Sequence, residues 1–270
     1  MAGNDPAQSA LLDNCNLIAA ISACGWTKKG AWFKNVTADQ SMADSYNLQF
    51  YDHNNKNVPV VSPNKYLPQN PEGTLLYGKS TTDTECWPGI IEKGYYMARD
   101  RLRGIDSNTP DMEYYNDVKI NPTMDAGTVL FQLLNVEPVR RSTAINGTDY
   151  KEALVWNDMN VSICAGVPPN RRAVRPAIAY SFPDSKVFSP KHTYTILGQA
   201  GTSIGRTWTS KYIVLRDSRN TTWEPALQAP DVLTKGIWLD SIDFAVKDGI
   251  FAIKSDLFPV YFQGYAYAVV

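Results

Sequence analysis

Histidine is scarce in this chain: there are two in 270 residues, His53 and His192. Two imidazoles cannot support a Cys/His zinc module, and none of the four cysteines (Cys15, Cys24, Cys86, Cys164) pairs with another in a CxxC spacing. Charge of one sign is also lacking. With 26 basic and 27 acidic residues the net charge is -1, which gives no electrostatic footprint for nucleic acid or for an anionic membrane. No apolar run approaches the ~18–20 residues of a membrane span. No basic segment followed by an apolar stretch marks a signal peptide, so free thiols in a reducing, cytoplasmic compartment are expected. Secretion stands as the alternative if a leader has been removed, and an even cysteine number would then allow disulfides. Four Asn-X-Ser/Thr sequons, at Asn35, Asn146, Asn160 and Asn220, fall within the frequency expected of an Asn-rich chain. There is no internal repeat and no low-complexity tract.

What is present is an ordinary globular composition, 44% hydrophobic and 20% charged, enough to bury a sizeable core. Ala10–Ala23 is apolar and rich in helix formers, with Asp13 and Asn14 as candidate N-caps. A second helix is predicted over Glu85–Arg103 and an apolar piece over 128–136. Val58–Val61 and Leu75–Tyr77 read as short strands. Glu137–Thr148 reads as a crossing between lobes. After a helical piece at Tyr150–Trp156 come predicted strands at Val161–Ala165, Thr193–Leu197, Thr207–Leu215, Ile250–Ile253 and Tyr265–Val270. A helix-rich half followed by a strand-rich half predicts an α+β protein of two lobes, 1–138 and 139–270.

Three residues carry candidate chemistry. Cys15 is placed at the first turn of a buried helix, where unpaired amides and the helix dipole favour a thiolate. A thiol nucleophile needs a base. His53 lies in the polar turn Tyr-Asp-His-Asn-Asn-Lys-Asn, whereas His192 opens the strand-like run His-Thr-Tyr-Thr-Ile-Leu-Gly, so His192 is the candidate base. Asp217 ends the run Lys-Tyr-Ile-Val-Leu-Arg about 25 residues later. A carboxylate on a neighbouring strand could orient the imidazole and stabilise its charged form. Taken alone, an Asp at this place is more often a turn residue.

In order along the chain these pieces resemble the calpain protease core, a two-lobed branch of the papain-like cysteine proteases. The family's Gln-Gly-Ala-Leu-Gly-Asp-Cys-Trp and Ala-Ala-Ile resemble Gln8-Ser9-Ala10-Leu11-Leu12-Asp13-Asn14-Cys15-Asn16 and the run to Ile21. Its Glu-Phe-Trp helix resembles Glu85-Cys86-Trp87 with Ile91-Glu92-Lys93-Gly94-Tyr95. Its Gly-His-Ala-Tyr strand resembles Lys191-His192-Thr193-Tyr194, its Arg-Asn-Pro-Trp-Gly segment Arg216-Asp217-Ser218-Arg219-Asn220, and its Asp-Gly-Glu-Phe-Trp strand Asp248-Gly249-Ile250-Phe251-Ala252.

The resemblance implies a papain-like α+β fold with the site in the cleft between a helical lobe and a β-rich lobe. It implies Cys15 as nucleophile, His192 as base, Asp217 where the family has an orienting Asn, and Gln8 as oxyanion donor, one residue further from the cysteine than in the family. It also implies two calcium sites. The first, with Asp5 and Glu85, keeps both family acids and is favoured. The second, with Glu224, Asp231 and Asp248, has Ile250 where the family has a Glu. Asn16 replaces the family Trp after the cysteine. Ser218-Arg219 replaces Pro-Trp, removing the aromatic cover of the base; Trp208 and Trp223 are the candidate substitutes. The expected activity is a calcium-influenced cysteine endopeptidase acting on polypeptides, with no nucleic-acid or membrane partner. An inactive interaction module and a papain-fold acyltransferase are the alternatives.

Overall fold

The structure is a computed structural model that describes residues 7, 14–27, 36–38, 45–52, 58, 60–61, 63, 65–67, 69, 71–73, 75, 78, 86–102, 126–143, 152–204, 207–219, 229–239, 242–244 and 248–270. Helix α1 (Cys15–Trp26) is followed by a small hairpin of β1 (Val36–Ala38) and β2 (Tyr46–Leu48), then α2 (Trp87–Leu102) and α3 (Ala126–Leu134). Strand β3 (Val139–Ser142), helix α4 (Glu152–Asp158) and a π-helical turn (Met159–Ile163) lead into the β-rich half. There the strands are β4 (Cys164–Ala165), β5 (Arg171–Ala173), β6 (Ala177–Ser181), β7 (Thr193–Ile204), β8 (Thr207–Asp217), β9 (Val232–Leu233), β10 (Ile237–Leu239), β11 (Ile242–Asp243) and β12 (Ile250–Lys254). A short helix α5 (Phe258–Tyr261) precedes β13 (Phe262–Tyr267).

The chain is therefore α+β, dominated by an antiparallel sheet in the order β3-β13-β6-β7-β8-β12-β9, with β5 also pairing β7 and β4 pairing β5. Its spine is the β7–β8 hairpin, whose Thr, Tyr, Ile, Val and Trp residues suit a pleated, half-buried surface. The register of that hairpin sets Asp217 opposite Tyr194, one residue past the strand edge where His192 stands. Arg171 closes on the spine at Gly198, where an added Cβ would lie 2.1 Å from the Arg171 carbonyl oxygen.

All twelve residues of α1 are buried. Its Leu17, Ile18, Ala20 and Ile21 pack with Tyr95, Leu130 and Leu133 of the helical half, and with Ile178 and Ala266 of the sheet. Trp26, at its end, belongs to the other apolar cluster, with Trp156, Phe188, Leu215, Phe251 and Phe262. There it stacks on Trp238 at 5.9 Å, and its indole N–H donates to the Leu197 carbonyl at 2.7 Å. The Arg172 guanidinium also lies over that ring, 3.7 Å from its centre.

Several local expectations are corrected. Glu137–Thr148 is more than a crossing, because Val139–Ser142 pairs with β13 as an edge strand. Within Val161–Ala165 the backbone stays π-helical to Ile163 and only Cys164–Ala165 is strand. Within Val58–Val61 and Leu75–Tyr77 the described residues make only isolated bridges, Val61 with Leu48 and Leu75 with Gln69.

Candidate active site

The nucleophile candidate is the first residue of α1, and α1 lies against the strand that begins one residue after the base candidate. Helix and strand are joined by side-chain hydrogen bonds. Thr193 Oγ1 donates to Asn16 Oδ1, and Thr195 Oγ1 to the Ala19 carbonyl at 2.9 Å. From β8, Arg216 Nη1 donates to Ser22 Oγ at 3.2 Å. These contacts fix the thiol side of the helix over the start of β7.

The expected N-cap is made differently. Asn14 holds the N-cap position, but its side chain makes no capping bond. It turns instead to the carboxylate of Glu92 in α2, donating to Oε1, and Nδ2 also reaches the Tyr96 hydroxyl at 3.2 Å. Glu92 Oε2 accepts from the Gly78 N–H. Glu92 is fully buried. Burial raises its carboxyl to about 8, against the three hydrogen bonds that favour its charge. An acid that stays protonated near neutrality thus anchors the residue just before Cys15.

His192 is 6% exposed and Asp217 is 0% exposed. His192 Nε2 meets Asp217 Oδ1 at 2.8 Å. With Nε2 engaged, Nδ1 is the ring nitrogen left for the thiol, and the Cys15 side chain forms a hydrogen bond with this ring. Cys15 Sγ also lies 3.7 Å from Asn16 Oδ1, as donor. Burial opposes the charged imidazole. The Asp217 charge and hydrogen bond, joined by those of Cys15, overcome it and raise His192 to about 9. Burial likewise opposes the Asp217 carboxylate, yet His192 and Arg219 hold it down at about 2. The three groups form one buried row, thiol to imidazole to carboxylate.

The backbone around the base is tightly held. Lys191 has a φ of 52°, a left-handed conformation uncommon for a residue with a side chain. His192 N donates to Ser181 Oγ at 3.0 Å, Ser181 N donates to the His192 carbonyl at 3.0 Å, and Ser181 Oγ donates to the Ser189 carbonyl. Of the two candidate tryptophan covers, Trp208 lies among the described residues. Trp208 packs edge-on against Trp156 at 5.1 Å, on the far part of the spine hairpin. Among the described residues the ring that meets His192 is that of Tyr194, edge-to-face at 4.8 Å, its hydroxyl held by the Ser189 N–H at 3.1 Å. The sequence motif that contains Tyr194 gave it no role beside the base, and Ser181 and Ser189 carried no signal. Tyr194 was findable: two positions along a strand from His192, it shares the base's face.

The other thiols differ from Cys15. Burial pushes Cys24 far up, and pushes Cys164 up to about 12 against the Arg171 charge. Cys86 is exposed. None of the four is in a disulfide.

Of the expected calcium ligands, Asp231 pairs with Lys254 Nζ, and the Asp248 carbonyl accepts from Arg216 Nε at 3.2 Å. Among the described residues no group of three or more His, Cys, Asp or Glu side chains is placed to hold a metal ion. Asp231 thus faces an ammonium at a partly exposed position, and Asp248 lends its carbonyl to Arg216. Gln8, Asp5, Glu85, Glu224, His53 and Trp223 lie outside the described residues. Among the described residues no helix is long and apolar enough to cross a membrane. No protein-family model matches the chain, and no curated protein matches it.

Proposed function

We propose that this chain is a cysteine endopeptidase of papain-like, two-lobed architecture that cleaves polypeptides through an S-acyl intermediate. The observation that carries the reading is the buried row of Cys15, His192 and Asp217, with the base held at about 9. A thiolate beside an imidazolium is the state a thiol protease attacks from. In acylation the Cys15 sulfur bonds to the peptide carbonyl carbon, the C–N bond breaks, and His192 gives its proton to the leaving amine. In deacylation water adds to the acyl carbon, its proton goes to His192, and the C–S bond breaks to return the thiolate. Asp217 keeps the ring oriented and its charged form favoured. The Cys15 N–H, at the start of α1, is one donor for the oxyanion, and Gln8 is proposed as the other.

Calcium dependence is proposed on Asp5 and Glu85, whose acids match the resemblance. Peptide cleavage measured in added calcium and then in excess chelator tests it, equal rates removing calcium from the mechanism.

The function itself is tested with an epoxide or iodoacetamide probe and peptide mapping, in a Cys86→Ser background that removes the exposed thiol. Cys15 is expected to react first, and His192→Ala to slow it strongly. Peptide hydrolysis is expected to vanish in Cys15→Ala. Cleavage unchanged in that variant sinks the reading. Labelling of Cys15 no faster than that of Cys24 and Cys164 moves it to a non-catalytic module, and acyl transfer only when an amine is supplied moves it to an acyltransferase.

A further inference from the structure

Asp217 is held by more than its histidine. The Arg219 backbone N–H donates to Oδ1 at 2.9 Å, Arg219 Nε to Oδ1 at 3.3 Å, and Arg219 Nη2 to Oδ2 at 3.1 Å. Both carboxylate oxygens are therefore gripped by one fork, with His192 taking the remaining direction on Oδ1. The same Nη2 also donates to Ser189 Oγ. Ser189 belongs to the segment that delivers His192, and its carbonyl accepts from Ser181 Oγ, which in turn accepts the His192 N–H. The bonds close a circuit from Arg219 through Ser189, Ser181, His192 and Asp217 back to Arg219.

We propose that Arg219 is a positioning residue of the site: it fixes the Asp217 carboxylate in the plane that meets the His192 ring and ties the His192-bearing segment to it. This rests on the cysteine-peptidase reading for its catalytic consequence, although the geometry it assigns stands without it. The role explains how an Asp serves at this place. A neutral Asn needs only cover from water. A buried carboxylate needs its second oxygen satisfied and part of its charge offset, and without that it is costly to bury. Arg219 does both, and its two-residue separation across the turn after β8 brings the guanidinium back over its own strand end. An Arg is required because a lysine ammonium cannot grip both oxygens from one side.

The titratable groups around Asp217 are His192 and Tyr194 from the start of β7, Arg219 from the turn after β8 and, beyond His192, Cys15 of α1. At the head of β12, Asp248 precedes Gly249, whose carbonyl accepts the Asp217 N–H at 2.9 Å. Of these, Arg219 is the one permanent cation in contact with the carboxylate.

The test is independent of catalysis because the chain has two histidines. Ring-proton NMR of the full chain, with His53→Gln to leave a single imidazole, follows the His192 Nε2–H resonance as pH falls. In the parent protein the signal persists until Asp217 protonates. In Arg219→Gln it is expected to be lost about one pH unit or more higher, since an adjacent cation lowers a carboxylate by about 1–3 units. Peptide turnover in the same variant is expected to fall roughly tenfold or more in kcat with KM little changed, as for a misoriented base. Arg219→Lys is expected to restore the NMR midpoint and only part of kcat. An unmoved midpoint in both variants overturns the proposal, as does full activity in Arg219→Gln. If Arg219→Gln fails to fold, Arg219→Lys decides: it supports the proposal by separating midpoint from kcat, and sinks it if both are those of the parent. A parent protein that cleaves no peptide removes the peptidase reading but leaves the NMR result to judge Arg219.

Discussion

Asn16 and Thr193, the residues that follow the candidate nucleophile and the candidate base, are bonded to each other by their side chains. The bond runs beside the Cys15–His192 contact and joins the same two elements, α1 and β7. It is a register pin, and Asn16 stands where the resemblance would put a Trp. Thr193→Val is expected to cost about 1–3 kcal/mol, because the buried Asn16 carbonyl loses its hydroxyl donor and keeps the weaker Cys15 thiol. Asn16→Ala with Thr193→Val is expected to cost less than the sum of the two single changes. Urea unfolding of the four species measures the coupling, and a coupling of zero would mean that the pair does not hold the helix on the strand.

The pH dependence follows from the His192–Asp217 pair. His192 rises from 6.5 to about 9, so its contribution to stability is complete below pH ~6.5 and is lost as pH rises through about 9. Asp217 falls from 3.8 to about 2, so its contribution is present above pH ~4 and is lost as pH falls through about 2. Both shifts describe one interaction and are not added. The proposed mechanism needs the charged ring, so kcat/KM is expected to fall on the alkaline side near pH 9. Asp217→Asn is expected to move that limb to lower pH. A pH profile from 4 to 10 checks both.

Glu92 works in the opposite sense to a paired carboxylate. Its folded-state value is about 8 against 4.5, so the folded chain holds a proton that the unfolded chain releases. Stability is therefore expected to decline from about pH 4.5 to 8 by an amount on the order of a few kcal/mol. Glu92→Gln is expected to flatten that decline. It should be tolerated because Asn14 Oδ1, buried and without a hydrogen-bond partner among the described residues, can accept from the new amide after a flip of the Asn14 side chain. Glu92→Ala strands both Asn14 and the Gly78 N–H and is expected to be the more damaging. Unfolding curves at pH 5 and 8 for the three proteins discriminate these outcomes.

Gly198 supports the spine hairpin at the point where β5 joins it. A Cβ there would meet the Arg171 carbonyl at 2.1 Å and the Trp238 ring at 2.7 Å. Gly198→Ala is expected to destabilise by roughly 1–3 kcal/mol or more through overpacking. The loss would appear as a red shift of tryptophan emission, since Trp238 and its partner Trp26 are both buried. An unshifted spectrum with parental stability would show that β5 moves aside without cost.

Much of the sheet was legible in the sequence because its long strands are locally consistent. The β-branched and aromatic runs at 193–197 and 207–215 read as strands, which the fold extends to 204 and 217, and with them came the 25-residue step between His192 and Asp217. Val139–Ser142 was not legible: two arginines in four residues look like a linker, and they are tolerated because the strand lies at the sheet edge. Glu92 was hidden for a related reason. In Ile-Ile-Glu-Lys-Gly it passes for the solvent face of a helix, and only the fold shows that it faces Asn14. Cys15 and His192 were legible as chemistry. Arg219 was legible only as a missing tryptophan, because its function depends on how a turn folds back on its strand.

The burial of α1 along its whole length has a further consequence for the thiol it carries. The helix bearing the thiol has no solvent face of its own, and its residues are divided between two apolar clusters, with Trp26 in one and Leu17 to Cys24 in the other. Both clusters together bury the helix as the folded chain does, and that seat sets the thiol beside the imidazole. In the proposed enzyme the reactive thiol is therefore a property of the assembled fold and not of its helix alone.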